Sequence, residues 1–280
     1  MSSAKIERAP AIQPALKKRE RFYRHSLVIR LTHWFNVLCL AILLMSGLQI
    51  FNARPDLYWG QKSDFQNPVL SMRSNGSADQ PPTKGVTTIF GHDFDTTGVL
   101  GLAPNPDGEL VERGFPSVAT LPGYQDLATG RRWHFFFAWL FVFNGLLYLA
   151  YGLAGGHLGR DILPTRGDLR HIGRSILDHM RLRFPSGDEA RRYNVLQRLS
   201  YLAIILVLVV IALAGLTMSP GLNAVFPESL TVFGGRQSAR TIHFLAALIL
   251  VLFTIVHVAM VILSGAWNNM RSMITGRYDL

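Results

Sequence analysis

The chain has 280 residues, of which 49% are hydrophobic and only 16% are charged, and this composition excludes an ordinary soluble globular domain. A membrane protein is therefore the first expectation. The formal net charge of +10 does not indicate nucleic-acid binding, because the arginines flank apolar segments, where a basic surface facing anionic lipid headgroups accounts for them.

Residues 1–26 are predicted to be a basic tail that leads into a membrane domain formed by residues 27–280. The tail contains Pro10, Pro14 and the run KKRER at residues 17–21, a composition typical of a loosely ordered segment. We assign it no chemistry.

Four apolar stretches are long enough to cross a bilayer, which takes about 20 helical residues. They are residues 31–51, 133–153, 199–218 and 241–263. The first is too long for the apolar core of a secretion signal and follows about 30 polar residues, so it is expected to stay in the mature protein. The fold class predicted from these stretches is all-α, an integral membrane four-helix bundle.

Cysteine chemistry is excluded as the basis of any cofactor site. Cys39 is the single cysteine and lies inside the first apolar stretch. Disulfides within the chain, zinc or iron–sulfur sites built on cysteine, and haem attachment through C-x-x-C-H all need more cysteines or that motif. Any cofactor must be held by other ligands.

The basic residues predict which side of the membrane each connection faces, because they prefer the cytoplasmic side. Residues 1–30 hold eight Lys and Arg against two acids, and residues 154–198 hold nine against five. Residues 52–132 hold seven against nine, and residues 219–240 hold two against one. Both termini are therefore predicted to be cytoplasmic in a bacterial inner membrane, with residues 52–132 on the periplasmic side.

The two longest connections differ in pattern. The outer connection, residues 52–132, is rich in Gly, Pro, Asn and Asp, which predicts a long irregular loop made of turns. Its one candidate strand is GVTTIF, residues 85–90. On the inner side, residues 166–184 place apolar residues at helical spacing with arginines on the other face, which predicts a short cytoplasmic interfacial helix.

The fourth apolar stretch contains two histidines, His243 and His257, with no other ionisable residue between them. Fourteen residues of α-helix bring the chain back to within about 40° of the same face and about 21 Å further along the axis. The two imidazoles therefore point the same way, one near each end of the span.

Two further histidines lie in the spans, and their depths match the first two. His33 begins the first span on the inner side, and His134 begins the second span on the outer side. Depth therefore pairs His134 with His243 and His33 with His257. Four imidazoles at two depths are what two six-coordinate haems require, each iron taking one histidine from each of two facing helices.

Two other interpretations of these histidines are open. A single intramembrane histidine can simply hydrogen-bond a neighbouring helix, although the pairing of all four by depth argues against that. Alternatively, the histidines line the pathway of a haem-free transporter or proton channel. That class of protein is expected to carry acidic or other titratable partners inside the spans, and the spans contain no Asp, Glu, Lys or Arg.

Arginines stand three residues before three of the histidines, one helical turn closer to water: Arg30, Arg131 and Arg240. Haem propionates are anionic and need such cations at the membrane edge. Arginines also cap membrane spans by snorkelling, although the inside-positive bias does not account for Arg131 and Arg240. The span glycines, among them Gly47 and Gly215, suit helix packing or the approach of a flat macrocycle.

These features together resemble the bacterial b-type cytochromes that include cytochrome b561 and the membrane cytochrome subunits of nickel-iron hydrogenase, formate dehydrogenase and thiosulfate reductase. The resemblance rests on RLTHW opening the first span, RRWH opening the second, YNVLQR entering the third, and His243 and His257 in the fourth. It covers the four spans, about two thirds of the chain.

The resemblance implies a dihaem b-type cytochrome that relays electrons across the bilayer between a periplasmic redox subunit and the quinone pool. Such a chain is an electron-transfer subunit of a larger oxidoreductase rather than a stand-alone enzyme. His134 and His243 would hold the outer haem, and His33 and His257 the inner one. The long outer connection departs from simpler family members, and its partner could be a molybdenum enzyme, a hydrogenase or a cytochrome c.

The resemblance also implies a quinone site at the start of the third span. Asn194 and Gln197, three residues apart on one helical face, are similar to the polar residues that the family places beside the inner haem. The alternative is structural, since Asn and Gln at a helix start commonly act as caps or polar packing groups.

Overall fold

A computed structural model describes residues 21–76, 80–156, 158–164, 167, 172–173, 176–177, 181 and 194–279. Its four long helices are α1 (Leu27–Asn52), α2 (Leu127–Ala154), α3 (Val195–Thr217) and α6 (Arg236–Leu263). Within the described residues these are the helices long and apolar enough to cross a membrane. Each contains most or all of one predicted span, and α1, α2 and α6 begin four to six residues earlier than predicted.

Shorter helices flank the third and fourth spans. Helices α4 (Pro220–Val225) and α5 (Glu228–Val232) connect α3 to α6, and α7 (Ala266–Thr275) follows α6 after a glycine. A single π-helical turn, Leu158–Ile162, follows α2. None of these short elements was predicted from the sequence.

Polar side chains set the starts of α1 and α2. Ser26 accepts a hydrogen bond from the Ile29 backbone N–H at 3.4 Å, and Asp126 accepts one from Thr129 at 2.9 Å. Such caps satisfy backbone N–H groups that have no partner inside the helix. The helices therefore begin before their apolar stretches, in residues that suit the membrane surface.

Helix α6 is capped instead by the backbone of the outer connection. The Gly60 carbonyl accepts hydrogen bonds from the N–H groups of Gln237 at 3.0 Å and Ser238 at 3.2 Å. Gly235, just before the helix, has a φ of 114°, and a Cβ there would lie 2.5 Å from the Gly60 oxygen. Glycine is thus required both by the dihedral angle and by the close approach.

The spans pack as two pairs. Backbone contact is close between α1 and α2 and between α3 and α6, and it is sparse between the pairs. In the first pair, Asn144 Nδ2 on α2 donates to the Thr32 carbonyl at 2.9 Å and to Asn36 Oδ1 at 2.7 Å, both on α1. A polar contact of this kind fixes the relative position of two apolar helices.

The outer connection is folded, and the prediction of an irregular loop was wrong. An antiparallel sheet has the strand order β2 (Asp56–Leu57), β3 (Leu70–Ser74), β4 (Gly85–Ile89), β5 (His92–Asp95). A separate hairpin pairs β6 (Gly101–Pro104) with β7 (Leu110–Arg113). The strand predicted at residues 85–90 is confirmed by β4. The fold is therefore mostly helical rather than all-α.

The turn residues explain why the connection was misinterpreted. Phe90 and Gly91 join β4 to β5 with φ angles of 48° and 80°, between the paired residues Ile89 and His92. Positive φ at both central positions is the geometry of a two-residue hairpin. Glycines that suggested an irregular loop therefore include the turns of paired strands.

The outer region, residues 53–126, is packed onto the outer end of the spans. Its buried residues Leu57 and Met72 pack with Phe51 of α1 and Phe244 of α6, and the rings of Phe51 and Phe244 lie 4.8 Å apart. The Thr241 hydroxyl donates to the Tyr58 carbonyl at 2.7 Å. The sheet is thus joined to the two helices that end or begin beneath it.

At the inner end, two short strands from the first and last described segments pair with each other. Strand β1 (Arg21–Tyr23) is antiparallel to β8 (Arg277–Asp279), so the last part of the predicted tail is ordered as a strand. Residues 1–20 lie outside the described residues. Most of the predicted interfacial helix, residues 166–184, also lies outside them, and that prediction stays untested.

An ion pair between a buried carboxylate and a half-exposed guanidinium joins two strands of the sheet. The Asp56 carboxylate is 2% exposed and accepts hydrogen bonds from Arg73 Nε at 3.1 Å, from its terminal nitrogen at 2.6 Å and from the Ser71 hydroxyl at 2.8 Å. Burial alone would raise the pKa of Asp56, but the bonds from Arg73 and Ser71 outweigh it, and the pKa lies below its usual value.

We expect Asp56→Asn to destabilise the outer region by about 1–3 kcal/mol at pH 7, because Arg73 loses its buried partner. Folding lowers this pKa, so the stabilisation is present above the pKa of an unfolded aspartate, about 3.9, and is lost as the pH falls below it. Hydrogen exchange of β2–β5 at pH 7 and pH 3 measures both effects. The exposed Asp107→Asn is the control; equal exchange in the two variants would contradict the expectation.

Candidate functional site

The four span histidines meet as two couples. The rings of His134 on α2 and His243 on α6 have centroids 6.1 Å apart and are inclined by 65°. The rings of His33 on α1 and His257 on α6 have centroids 6.4 Å apart and are inclined by 63°. The structure therefore brings together the pairs that depth predicted, and α6 contributes one histidine to each.

The spacing of each couple fits two ligands of one metal ion. A metal–imidazole bond is about 2 Å long and the bonded nitrogen lies about 1 Å from its ring centre, so two imidazoles on opposite sides of one iron have centres about 6 Å apart. The couples at 6.1 and 6.4 Å match this value.

A macrocycle fits these couples better than a bare metal ion. In the part of the chain that the structure describes, no group of three or more His, Cys, Asp or Glu side chains could hold a metal ion. A porphyrin supplies four nitrogens itself and needs only two axial ligands. Both couples span the boundary between the helix pairs, where the sparse backbone contact leaves width for a flat ring.

Hydrogen bonds orient the outer couple. His243 Nδ1 lies 2.8 Å from the Ile211 carbonyl of α3, and because a carbonyl only accepts, Nδ1 carries the proton. His134 Nδ1 lies 3.1 Å from the Ser46 hydroxyl of α1, which itself donates to the Ile42 carbonyl at 2.6 Å. Both rings therefore keep an unprotonated Nε2, the form that binds a metal.

Two glycines make room for the same rings. A Cβ at Gly215 of α3 would lie 3.1 Å from His243 Cε1, and one at Gly47 of α1 would lie 3.3 Å from His134 Cε1. These glycines were predicted to favour helix packing or a macrocycle, and the structure shows that they admit the imidazoles. Ser46 and the Ile211 carbonyl were missed, and a backbone carbonyl leaves no signal in a sequence.

The inner couple has apolar surroundings instead. The His257 ring stacks on Phe253 with centroids 5.7 Å apart and an angle of 15°, and the His33 ring meets Trp34 edge-on at 5.4 Å. Among the described residues, no hydrogen-bond partner reaches either imidazole. The two couples therefore differ in the contacts that tune a bound metal.

The three predicted propionate arginines lie near the ends of the spans and have other contacts. Arg30 donates to the Ile274 carbonyl of α7. Arg240 donates to the Arg54 carbonyl, and the Arg131 guanidinium lies 5.6 Å from the centre of the Phe135 ring. A guanidinium has five N–H donors, so these contacts leave donors for an anion, and the propionate role stays a prediction.

The two predicted quinone residues form a helix cap. The Asn194 side chain accepts from the Gln197 N–H at 2.9 Å, and the Gln197 side chain accepts from the Asn194 N–H at 3.1 Å. This reciprocal capping box starts α3 and is the structural alternative given above. The side-chain amide nitrogens of both residues are not part of the box.

Two imidazole couples inside an apolar four-helix bundle define a membrane protein of the b-type cytochrome class. The comparison with known families agrees: the model described as prokaryotic cytochrome b561 matches residues 24–276, so the chain belongs to that family. It is a membrane electron-transfer subunit that uses haem b. The four apolar helices and the family together support an integral inner-membrane location.

One similar protein is named "Putative protein-methionine-sulfoxide reductase subunit YedZ1", from Azospira oryzae. It is 29% identical to this chain over 245 residues, which cover 88% of this chain and 93% of that protein. The similarity therefore extends over both chains nearly from end to end, including the outer region.

We expect Gly215→Ala to weaken the outer haem site, because the added methyl would press on the His243 ring. The haem content per chain should fall below that of the unsubstituted protein, measured by the reduced-minus-oxidised spectrum of the purified protein. Gly145→Ala is the matched control, since a Cβ there meets nothing within 4 Å and alanine favours the helix by about 1 kcal/mol. Equal haem content in both variants would contradict this role of Gly215.

Proposed function

We propose that this protein is a dihaem b-type cytochrome that relays electrons across the inner membrane between the quinone pool and a periplasmic redox subunit. The observation that carries the proposal is the presence of two histidine couples at two depths, with centroids 6.1 and 6.4 Å apart. One couple would give a single haem and no path across the bilayer, whereas two couples provide one haem near each membrane face.

Each haem would supply one-electron transfer at its iron when bound. The chain's own residues hold and tune it. His134 and His243 would bind the outer haem through Nε2, with their Nδ1 protons held by Ser46 and the Ile211 carbonyl. His33 and His257 would bind the inner haem, while Arg30, Arg131 and Arg240 would provide donors for propionates at the membrane edges.

Quinone would bind near the inner couple, at the start of α3. Asn194 and Gln197 use their side-chain oxygens in the capping box, so their amide nitrogens are the groups that could donate to a quinone carbonyl. Capping also puts both side chains at the first turn of an apolar span, which supports a position near the membrane surface, where a quinone headgroup would enter. The residue types and position, together with the family, support this assignment.

The outer region would bind the periplasmic partner. Residues 53–126 contain nine acidic and five basic residues, in contrast to the basic remainder of the chain. Their core includes Phe244, the neighbour of His243, so a partner on this surface would stand close to the outer haem. The similar protein from Azospira oryzae is named as a reductase subunit, which favours a partner that consumes electrons.

Single and double histidine variants test the two haem sites. We expect His134→Ala and His243→Ala each to lose one haem equivalent, and the double variant to lose no more than either. His134→Ala combined with His33→Ala should lose both. Haem content and the reduced-minus-oxidised spectrum measure this, with His92→Ala, an exposed histidine of β5, as the control. Retention of both haems in all variants would refute the proposal.

We expect Ser46→Ala to raise the midpoint potential of one haem by about 20–40 mV, because an imidazole that donates a hydrogen bond favours the oxidised iron. The size follows from a hydrogen bond worth about 1 kcal/mol and from 59 mV per tenfold change for one electron. A potentiometric titration measures it. Thr254→Ala, whose hydroxyl bonds only within α6 to Leu250, should leave both potentials unchanged; an equal shift there would contradict the role of Ser46.

A further inference from the structure

A cavity of about 280 Å³ lies at the inner end of the molecule, and Arg21, Arg271, Thr275 and Arg277 line it. It is formed where β1, β8 and α7 meet. The outer histidine couple lies at the opposite end of the spans, and none of the nine residues predicted to bind haem iron, propionates or quinone lines the cavity. The cavity is therefore separate from the predicted haem and quinone sites.

The cavity is strongly basic. The described segments around it, residues 21–30 and 266–279, contain five arginines and one aspartate. Asp279 accepts hydrogen bonds from Arg21 at 2.9 Å and from Arg271 at 2.5 Å. These bonds hold the two guanidinium groups at the cavity wall, and in the described segments around the cavity Asp279 is the single carboxylate against five arginines.

Unused donors remain in this wall. Arg271 Nε is buried and has no hydrogen-bond partner among the described residues, although a buried N–H group is costly without one. Arg277 is exposed, and within the described chain no carboxylate lies within ion-pair distance of it. Guanidinium groups arranged in this way suit a phosphate, whose oxygens accept paired N–H donors.

Helix α7 presents an apolar face next to the cavity. Trp267, Met270 and Ile274, spaced three and four residues apart, are 82%, 40% and 62% exposed. Arg271 and Thr275, which line the cavity, stand at the edge of this face. An exposed apolar stripe with arginines beside it is the pattern of a helix that lies in a membrane surface.

Two hydrogen bonds from α1 hold α7 in place. Trp34 Nε1 of α1 donates to the Met273 carbonyl at 3.0 Å, and Arg30, one turn earlier, donates to the Ile274 carbonyl. These bonds satisfy carbonyls at the C-terminal end of α7 and hold it against the inner end of α1. The exposed apolar face of α7 and the arginines beside it therefore lie at the same end of the spans.

We propose that this cavity binds the phosphate of an anionic phospholipid headgroup, while the apolar face of α7 contacts the acyl chains of the same leaflet. The apolar face beside the cavity favours a lipid over free phosphate. Because α7 is held by Arg30 and Trp34, which flank His33, the bound lipid stabilises the helix end that carries an inner histidine. This proposal does not depend on haem or quinone binding.

Native mass spectrometry of the full chain in detergent tests the site, with phosphatidylglycerol, phosphatidylcholine and inorganic phosphate as separate probes. We expect one phosphatidylglycerol per chain to bind more tightly than phosphatidylcholine, and Arg277→Gln to weaken it at least about fivefold. Arg277→Gln keeps the Arg271–Asp279 pair. Arg132→Gln is the control, because it removes the same charge near the start of α2, at the outer end of the spans. This variant should bind phosphatidylglycerol as tightly as the unsubstituted protein.

The acyl-chain contact is tested separately with brominated lipids, which quench tryptophan fluorescence. Brominated phosphatidylglycerol should quench the protein more than brominated phosphatidylcholine, and Trp267→Phe should abolish the difference. Equal binding of both lipids, or unchanged binding in Arg277→Gln, would overturn the proposal. Inorganic phosphate that competes equally with phosphatidylglycerol would overturn the lipid assignment and leave a free-phosphate site.

Discussion

The arrangement of the outer couple depends on one constraint: an imidazole N–H inside a membrane needs a hydrogen-bond acceptor. In the outer couple, Nδ1 of His134 and His243 faces an oxygen of the neighbouring helix, which leaves Nε2 of each ring as the unprotonated nitrogen. The helix that backs each ring carries a glycine at the contact. Packing within each helix pair therefore orients the rings that meet between the pairs.

The outer region and the outer couple share the same helix ends. Gly60 caps α6 and Tyr58 accepts from Thr241, while Phe244 enters the core of the outer region beside His243. A sheet attached by flexible linkers would place a partner at variable distances from the membrane. Here the outer end of α6 carries both the contacts to the sheet and His243. A surface on the sheet therefore has a fixed position relative to the outer imidazoles.

The spans and the pairing of histidines could be predicted, because a bilayer demands a minimum apolar length and the helical repeat fixes which residues share a face. The sheet in the outer connection could not, since Phe90–Gly91 and similar turns have the same composition in hairpins and in irregular loops. Helix α7 was missed because its apolar residues are few and depend on docking to Arg30 and Trp34. The carbonyl of Ile211 acts through its backbone, which any residue type would provide.

Helix α6 supplies a ligand to both couples, and this has a mechanical consequence. His243 and His257 lie on the same helix, about 21 Å apart. A translation of α6 along its axis by one residue, about 1.5 Å, would therefore displace both imidazoles in the same direction. A force that moves the first turn of α6 would therefore also move His257, near the opposite end of the span. The two imidazoles therefore move together, and a movement of this helix cannot adjust one of them without the other.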